Sequence, residues 1–158
     1  MSAEKANVVF DGGTQEDRDR LIELFEEFWA ANDVFDSPQL ERTWSKSPDR
    51  VHFNSNGHTY YGLNDWLNIW DYYRPRFQSV SPGKRGDTRV IIREGMALVA
   101  DAEIERKWEW IGEGEPPALL SNPRVRATMV YVKEDGDWRV AHVHYSSAAS
   151  GPRPDQVA

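Results

Sequence analysis

No cysteine occurs in the 158 residues, so disulfide frameworks, thiolate metal sites and cysteine nucleophiles are excluded. Long apolar runs are missing too. No stretch approaches the roughly 18 apolar residues of a membrane span, and the opening Met-Ser-Ala-Glu-Lys carries no apolar signal segment. There is no run of Lys or Arg. Nineteen basic against twenty-six acidic side chains give a net charge of −7 and a pI near 5.1, a balance that repels phosphate backbones, so neither nucleic acid nor an anionic membrane is an expected partner. A Ser-His-Asp order, a Gly-rich phosphate loop and a dinucleotide fingerprint are all lacking. The expectation is a soluble, cytoplasmic chain with one core, no cofactor and no metal.

What the chain has in quantity is aromatic residues: seven Trp, six Tyr and six Phe, or 12% of the sequence. Such side chains bring large apolar area with a polar edge, which suits either a core or a pocket for a flat ligand.

Residues 1–13 show no sustained period and read as an N-terminal arm. Thr14 and Asp17 are spaced as a capping box. Leu21, Leu24, Phe25, Phe28 and Trp29 then recur at three- and four-residue steps, predicting a helix over 15–33 with an aromatic stripe. Ser37 as N-cap with Pro38 in the first turn predicts a short second helix to about Trp44. Alternation from Arg50 to Ser55, Asn56-Gly57 and His58 to Tyr61 predict a hairpin with a type I′ turn. From Gly62 the helical period returns through Leu63, Trp66, Leu67, Trp70 and Tyr73, limited by Pro75. Ser81-Pro82-Gly83 reads as a breaker. Strands are predicted over 88–93, 97–110, 125–133 and 138–146, with Glu94-Gly95 and Asp135-Gly136 as turns and a loop from Gly112 to Pro123. Residues 147–158 read as a flexible tail.

This order, and the ending Asp-Gly-Asp-Trp-Arg-Val-Ala-His-Val-His-Tyr-Ser over 135–146, resembles the SnoaL-like branch of the nuclear transport factor 2-like superfamily. Asn56-Gly57 and Gly62 match its habit of a hairpin ending in Gly before the third helix. The resemblance covers roughly 14–146, read as one domain. It implies an α+β fold: a curved antiparallel sheet wrapped on about three helices, forming a cone with an internal cavity. Members include ketosteroid isomerase-like, scytalone dehydratase-like and polyketide cyclase-like enzymes as well as association domains, so the fold alone does not choose a function.

By that matching Asn54 stands where isomerase-like members carry a catalytic carboxylate, with His52 on the same face. Asn cannot abstract a proton, and Phe28 stands near the family's catalytic tyrosine without its hydroxyl, so steroid isomerisation is not expected. On the long strand Val99, Asp101, Glu103, Glu105 and Lys107 share one face, which the matching assigns to the cavity; a desolvated carboxylate there suits acid–base work. Glu103 is the first choice, with Asp101 beside it; the alternative is a solvated edge face. Trp66, Trp70, Tyr73 and Arg74 from the third helix, with Tyr60, Met129, Tyr131, Tyr145 and Phe28, are assigned to substrate binding, the alternative for any single Trp being core. His142 and His144 share a strand face with Trp138 and Val140, outside the cone; an interface or packing role is preferred over a metal site. The resulting expectation is a lyase, either a dehydratase or an aldehyde-releasing enzyme, for a small aromatic and possibly lignin-derived diaryl molecule. Glu103 and His52 would move the proton, and Asn54 and a tyrosine would hold the oxygen. An isomerase or cyclase and a non-catalytic binding or assembly domain are the alternatives. A homodimer through the outer sheet face is expected.

Overall fold

In the computed structural model, which describes residues 7–117 and 124–157, Thr14 and Asp17 form the capping box. The Asp17 amide donates to Thr14 Oγ1 at 3.1 Å, and the Thr14 amide donates back to Asp17 Oδ2 at 3.3 Å. Helix α1 follows over Gln15–Val34 and buries Leu21, Leu24, Phe25, Phe28 and Trp29, the stripe its period predicts. It stops at Phe35, a non-glycine residue in the left-handed region with φ 55°. Helix α2 spans Ser37–Thr43, capped one residue earlier than expected, by Asp36, whose carboxylate accepts from the Gln39 amide. Helix α3 spans Gly62–Tyr73 and buries Trp66, Trp70 and Tyr73.

Among the described residues the sheet has eight strands: β1 Val8–Asp11, β2 Val51–Phe53, β3 Thr59–Tyr61, β4 Phe77–Lys84, β5 Thr88–Arg93, β6 Met96–Trp110, β7 Arg124–Glu134 and β8 Asp137–Ser147. Its order is β1-β5-β6-β7-β8-β2-β3, and β4 pairs the far half of β6. It is curved and unclosed. It is also mixed rather than wholly antiparallel, since β1 runs parallel to β5 and β2 parallel to β8. The described part of the N-terminal arm is therefore a paired edge strand. Ser81-Pro82-Gly83 does not break the chain but lies in β4, where two register shifts accommodate it, as Pro is tolerated at an irregular edge. Past β8, Pro154–Gln156 forms one 3₁₀ turn. Of the expected loop at Gly112–Pro123, residues 118–123 lie outside the described residues, and residues 111–117 form no strand.

Turn chemistry explains two hairpins differently. Asp135 and Gly136 both have positive φ, 52° and 81°, as a two-residue type I′ turn requires. At Asn56-Gly57 only the glycine does, with φ 85°. There the Gly57 amide donates to the Asn54 carbonyl and the strands stop at Phe53 and Thr59. The hairpin exists, but its connection is a longer loop that frees the Asn56 side chain for other partners.

Two bulges set which side chains enter the cone. On β6, Asp101 faces Ala127 and Ile104 faces Val125, so one extra residue sits between them. Before it Ala97, Val99 and Asp101 are buried; after it Ile104 and Arg106 are, because an unpaired residue reverses the alternation. On β8 the shift falls between Val140 and His142. Trp138 and Val140 therefore point inward with Val143 and Tyr145, while His142 and His144 point out.

Candidate functional site

The end of α1, the β2–β3 loop, α3 and the far half of β6 converge on one cavity. Its walls are Asn32, Phe35, Asn54, Ser55, Trp70, Tyr73, Arg106, Trp108 and Tyr145. The space between them is narrow, about 10 Å³. The half-exposed Asn54, Ser55 and Trp108 form its mouth, and Arg106, Asn32 and Tyr145 lie deep, at 4%, 5% and 7% exposure.

Polar groups distinguish this cavity from core. Arg106 Nη2 donates to Ser55 Oγ at 3.3 Å, and its guanidinium carbon lies 4.1 Å from the Trp108 ring centre. Burial pulls the pKa of the guanidinium down, against the pull of Tyr145, Asp33 and Tyr73, yet an arginine of this kind stays charged. The Asn32 amide nitrogen and the Tyr145 hydroxyl are buried with no hydrogen-bond partner among the described residues. Burial raises the Tyr145 pKa, so its hydroxyl keeps its proton. The Tyr73 hydroxyl accepts from Asn56 Nδ2 at 3.0 Å, and the same nitrogen donates to the Tyr60 hydroxyl at 2.7 Å. Beside Asn32, Asp33 is buried, with Oδ2 accepting from the Gly83 amide at 2.8 Å and Oδ1 unpartnered. Desolvation raises its pKa, against the hydrogen bond from Gly83 and the charge of Arg106.

The expected site residues divide. Asn54, Trp70, Tyr73 and Tyr145 meet at the cavity. Glu103 does not. It sits in the β6 bulge, exposed, paired with Arg124 at 3.1 Å, so the solvated-face alternative is the one observed for it. Asp101 is buried but already used, accepting from the Thr88 hydroxyl and the Gly86 and Glu103 amides. These bonds anchor the bulge. His52 is fully buried between Trp66, with ring centres 3.7 Å apart, and Tyr60, at 5.0 Å. Burial and the nearby His142 depress its pKa to about 3, and neither ring nitrogen has a partner. It is a neutral stacking element outside the cavity walls, too weak a base to take a proton near neutral pH.

The remaining expected residues lie outside the cavity lining. Phe28 and Trp66 pack in an aromatic cluster with Trp29, Trp44 and Trp70. Met129 and Tyr131 are core, and the Tyr131 hydroxyl lies 3.8 Å from the Met129 sulfur. Arg74 is exposed and donates Nε and Nη2 to the Phe35 carbonyl at 2.9 and 2.7 Å. It thereby holds the left-handed residue that forms one cavity wall. His142 Nδ1 donates to the Val51 carbonyl at 2.6 Å, and the His144 ring meets Phe53 edge-on. Among the described residues no cluster of metal-ligating side chains occurs, and no helix is long and apolar enough to cross a membrane.

Sequence reasoning missed Arg106, Asn32, Ser55, Phe35 and Trp108. A signal for Arg106 was present. On β6 Leu98, Ile104, Trp108 and Trp110 share one parity with Arg106, so the more apolar face, taken as inward, holds Arg106 and Trp108.

A curved sheet closed over α1 and α3, with an aromatic and polar cavity at one end, defines the cone architecture of nuclear transport factor 2-like proteins. The SnoaL-like domain model matches residues 21–150. The chain belongs to the SnoaL-like family. No curated protein matches it by sequence. Among solved structures it is similar to a nuclear transport factor 2-like protein from Salmonella enterica, with 16% identity, TM-score 0.73, and coverage of 92% of this chain and 100% of that one. It is also similar to one from Cytophaga hutchinsonii, with 18% identity, TM-score 0.66, and 86% and 100% coverage. A proposed ketosteroid isomerase from Shewanella frigidimarina shares 15% identity at TM-score 0.55 over 78% and 92% of the chains. At these identities the likeness concerns the fold.

Proposed function

We propose that the protein is a cofactor-independent lyase, a dehydratase or an aldehyde-releasing enzyme, that moves a proton on a small aromatic substrate held in the cone. The observation that carries this reading is the cavity's composition: flat walls from Phe35, Trp70, Tyr73 and Trp108, with buried polar groups of Asn32, Arg106 and Tyr145 between them. Asp33 is the assigned proton carrier: it is buried next to Asn32 with Oδ1 free of partners among the described residues, and burial raises its pKa. Asn54 and Tyr145 hold the oxygen on which charge develops. The lining itself includes no carboxylate, which favours a second reading, a module that binds the same molecule without turning it over.

A panel of diaryl and polyketide-like phenols separates the two. Turnover with loss of water or aldehyde is expected, and a rearranged product of unchanged mass makes the protein an isomerase or cyclase instead. Asp33→Asn should lower kcat by about 10²–10⁴ while ligand affinity stays within a few-fold. Glu103→Gln, at an exposed position, should change nothing. Undiminished turnover by Asp33→Asn removes the assigned proton carrier, and tight binding with no product in the wild type leaves the binding module.

A further inference from the structure

Arg106 is a buried cation without an anion. Among the described residues its polar contact is one hydrogen bond to a neutral hydroxyl, Ser55 Oγ, and its planar face lies on Trp108. A guanidinium has five N–H donors. At 4% exposure its charge is largely withdrawn from water, which is costly unless a partner supplies charge and acceptors. Asp33 acts on it electrostatically but forms no ion pair with it, its Oδ2 being held by the Gly83 amide.

Two more donors face the same space. Asn32 Nδ2 and the Tyr145 hydroxyl are both buried, both lack partners among the described residues, and both belong to the cavity wall. With the Arg106 guanidinium, these two unpartnered donors line one cavity whose described lining includes no acid side chain. Their complement is a group with several lone pairs, a negative charge and a planar fork. A carboxylate meets all three conditions: both oxygens accept from one guanidinium, and lone pairs remain for the amide and the hydroxyl. A neutral phenol serves Asn32 and Tyr145 but leaves the charge of Arg106 unanswered. The space is narrow, with room for about one water between the walls, so a guest seats by turning aside the half-exposed Trp108 and replacing its cation–π contact with a true ion pair.

We infer that the molecule this cavity takes is an aryl or aryl-alkyl carboxylate, its head on Arg106, Asn32 and Tyr145 and its ring against Phe35 and Trp70. This rests on the reading of the cavity as the substrate site and narrows the substrate to a class. It also gives Arg106 a specificity role that the reaction chemistry does not require.

The test compares benzoate and phenylacetate with benzamide and phenylacetamide, which match them in shape without the charge, by NMR titration of the wild-type protein at pH 7. The acids should bind at least tenfold more tightly than the amides, and the preference should fall as salt rises. Arg106→Met should abolish the preference, and Arg106→Lys should keep part of it. Equal affinity for acid and amide, binding of neither, or a preference that survives in a folded Arg106→Met protein overturns the inference. Should Arg106→Met fail to fold, the wild-type acid-to-amide ratio decides alone. Acids bound without turnover of any aromatic acid would sink the enzyme reading and leave this one standing. Turnover of neutral phenols with no acid preference would do the reverse.

Discussion

The Asp101 carboxylate accepts a hydrogen bond from the Glu103 amide at 3.0 Å, across the bulge that turns Arg106 into the cone. The same carboxylate accepts from the Thr88 hydroxyl at 3.1 Å and the Gly86 amide at 3.2 Å. A side chain added at Gly86 would meet the Glu103 carbonyl at 2.2 Å, so the β4–β5 connection fits tightly over the bulge. Asp101→Ala leaves these donors without their acceptor and should cost about 2–4 kcal/mol, read by urea unfolding. Because the bulge aims Arg106, the benzoate preference should fall in the same variant under conditions where it remains folded.

His52 gives a pH prediction with a definite sign. Its pKa is about 3 in the folded chain, against 6.5 in an exposed histidine, so the unfolded state takes up the proton first as the medium is acidified. The associated stability is complete above pH 6.5 and is lost as the pH falls from there toward 3. His52→Phe keeps a flat ring between Trp66 and Tyr60 and removes two unpartnered nitrogens. It should be neutral or stabilising at pH 7. Between pH 6.5 and 4 the wild type should lose on the order of a few kcal/mol relative to it, measured as the difference between two urea-midpoint curves.

Asn56 ties the hairpin loop to α3 through the Tyr60 and Tyr73 hydroxyls. Asn56→Ala should destabilise by about 1–2 kcal/mol. It should also loosen the mouth of the cavity, since Tyr73 is a wall residue. Broader resonances for Asn54, Ser55 and Tyr73 in NMR spectra, beside a lowered urea midpoint, check both effects.

How far the sequence carried depended on whether a feature was local. The capping box at Thr14 and Asp17, the stripes of α1 and α3, and the paired positive φ angles at Asp135-Gly136 follow from side chains within a few residues of each other. They were legible for that reason. The site depends instead on two single-residue bulges, and each reverses the inward and outward faces of everything after it. One parity carried through β6 puts Glu103 inward, and one carried through β8 groups Trp138 with His142; the bulges undo both. Strand β4 was hidden because Ser81-Pro82-Gly83 reads locally as a turn, while its pairing partner lies more than twenty residues away on β6. The histidine stack could not be read at all, because burial of His52 depends on α3 and β3 closing over it from both sides.

The outer face of β8 and β2 presents Phe53 between His142 and His144, with ring centres 5.1 and 5.2 Å from the Phe53 ring. We propose this face as the contact of a homodimer. Sedimentation at micromolar concentration should give twice the 18.2 kDa chain mass, and Phe53→Glu should return it to one chain. A wild-type protein that sediments as one chain would remove the dimer.

A crystal structure with phenylacetate bound decides whether Arg106, Asn32 and Tyr145 form one acceptor-seeking site inside the cone. Both carboxylate oxygens should lie within hydrogen-bonding distance of the Arg106 guanidinium, one of them also reached by Tyr145, with the ring against Phe35 and Trp70. Phenylacetate seated elsewhere, such as the open groove along His58, Tyr60 and Ile69, with Arg106 still lying on Trp108, would contradict it.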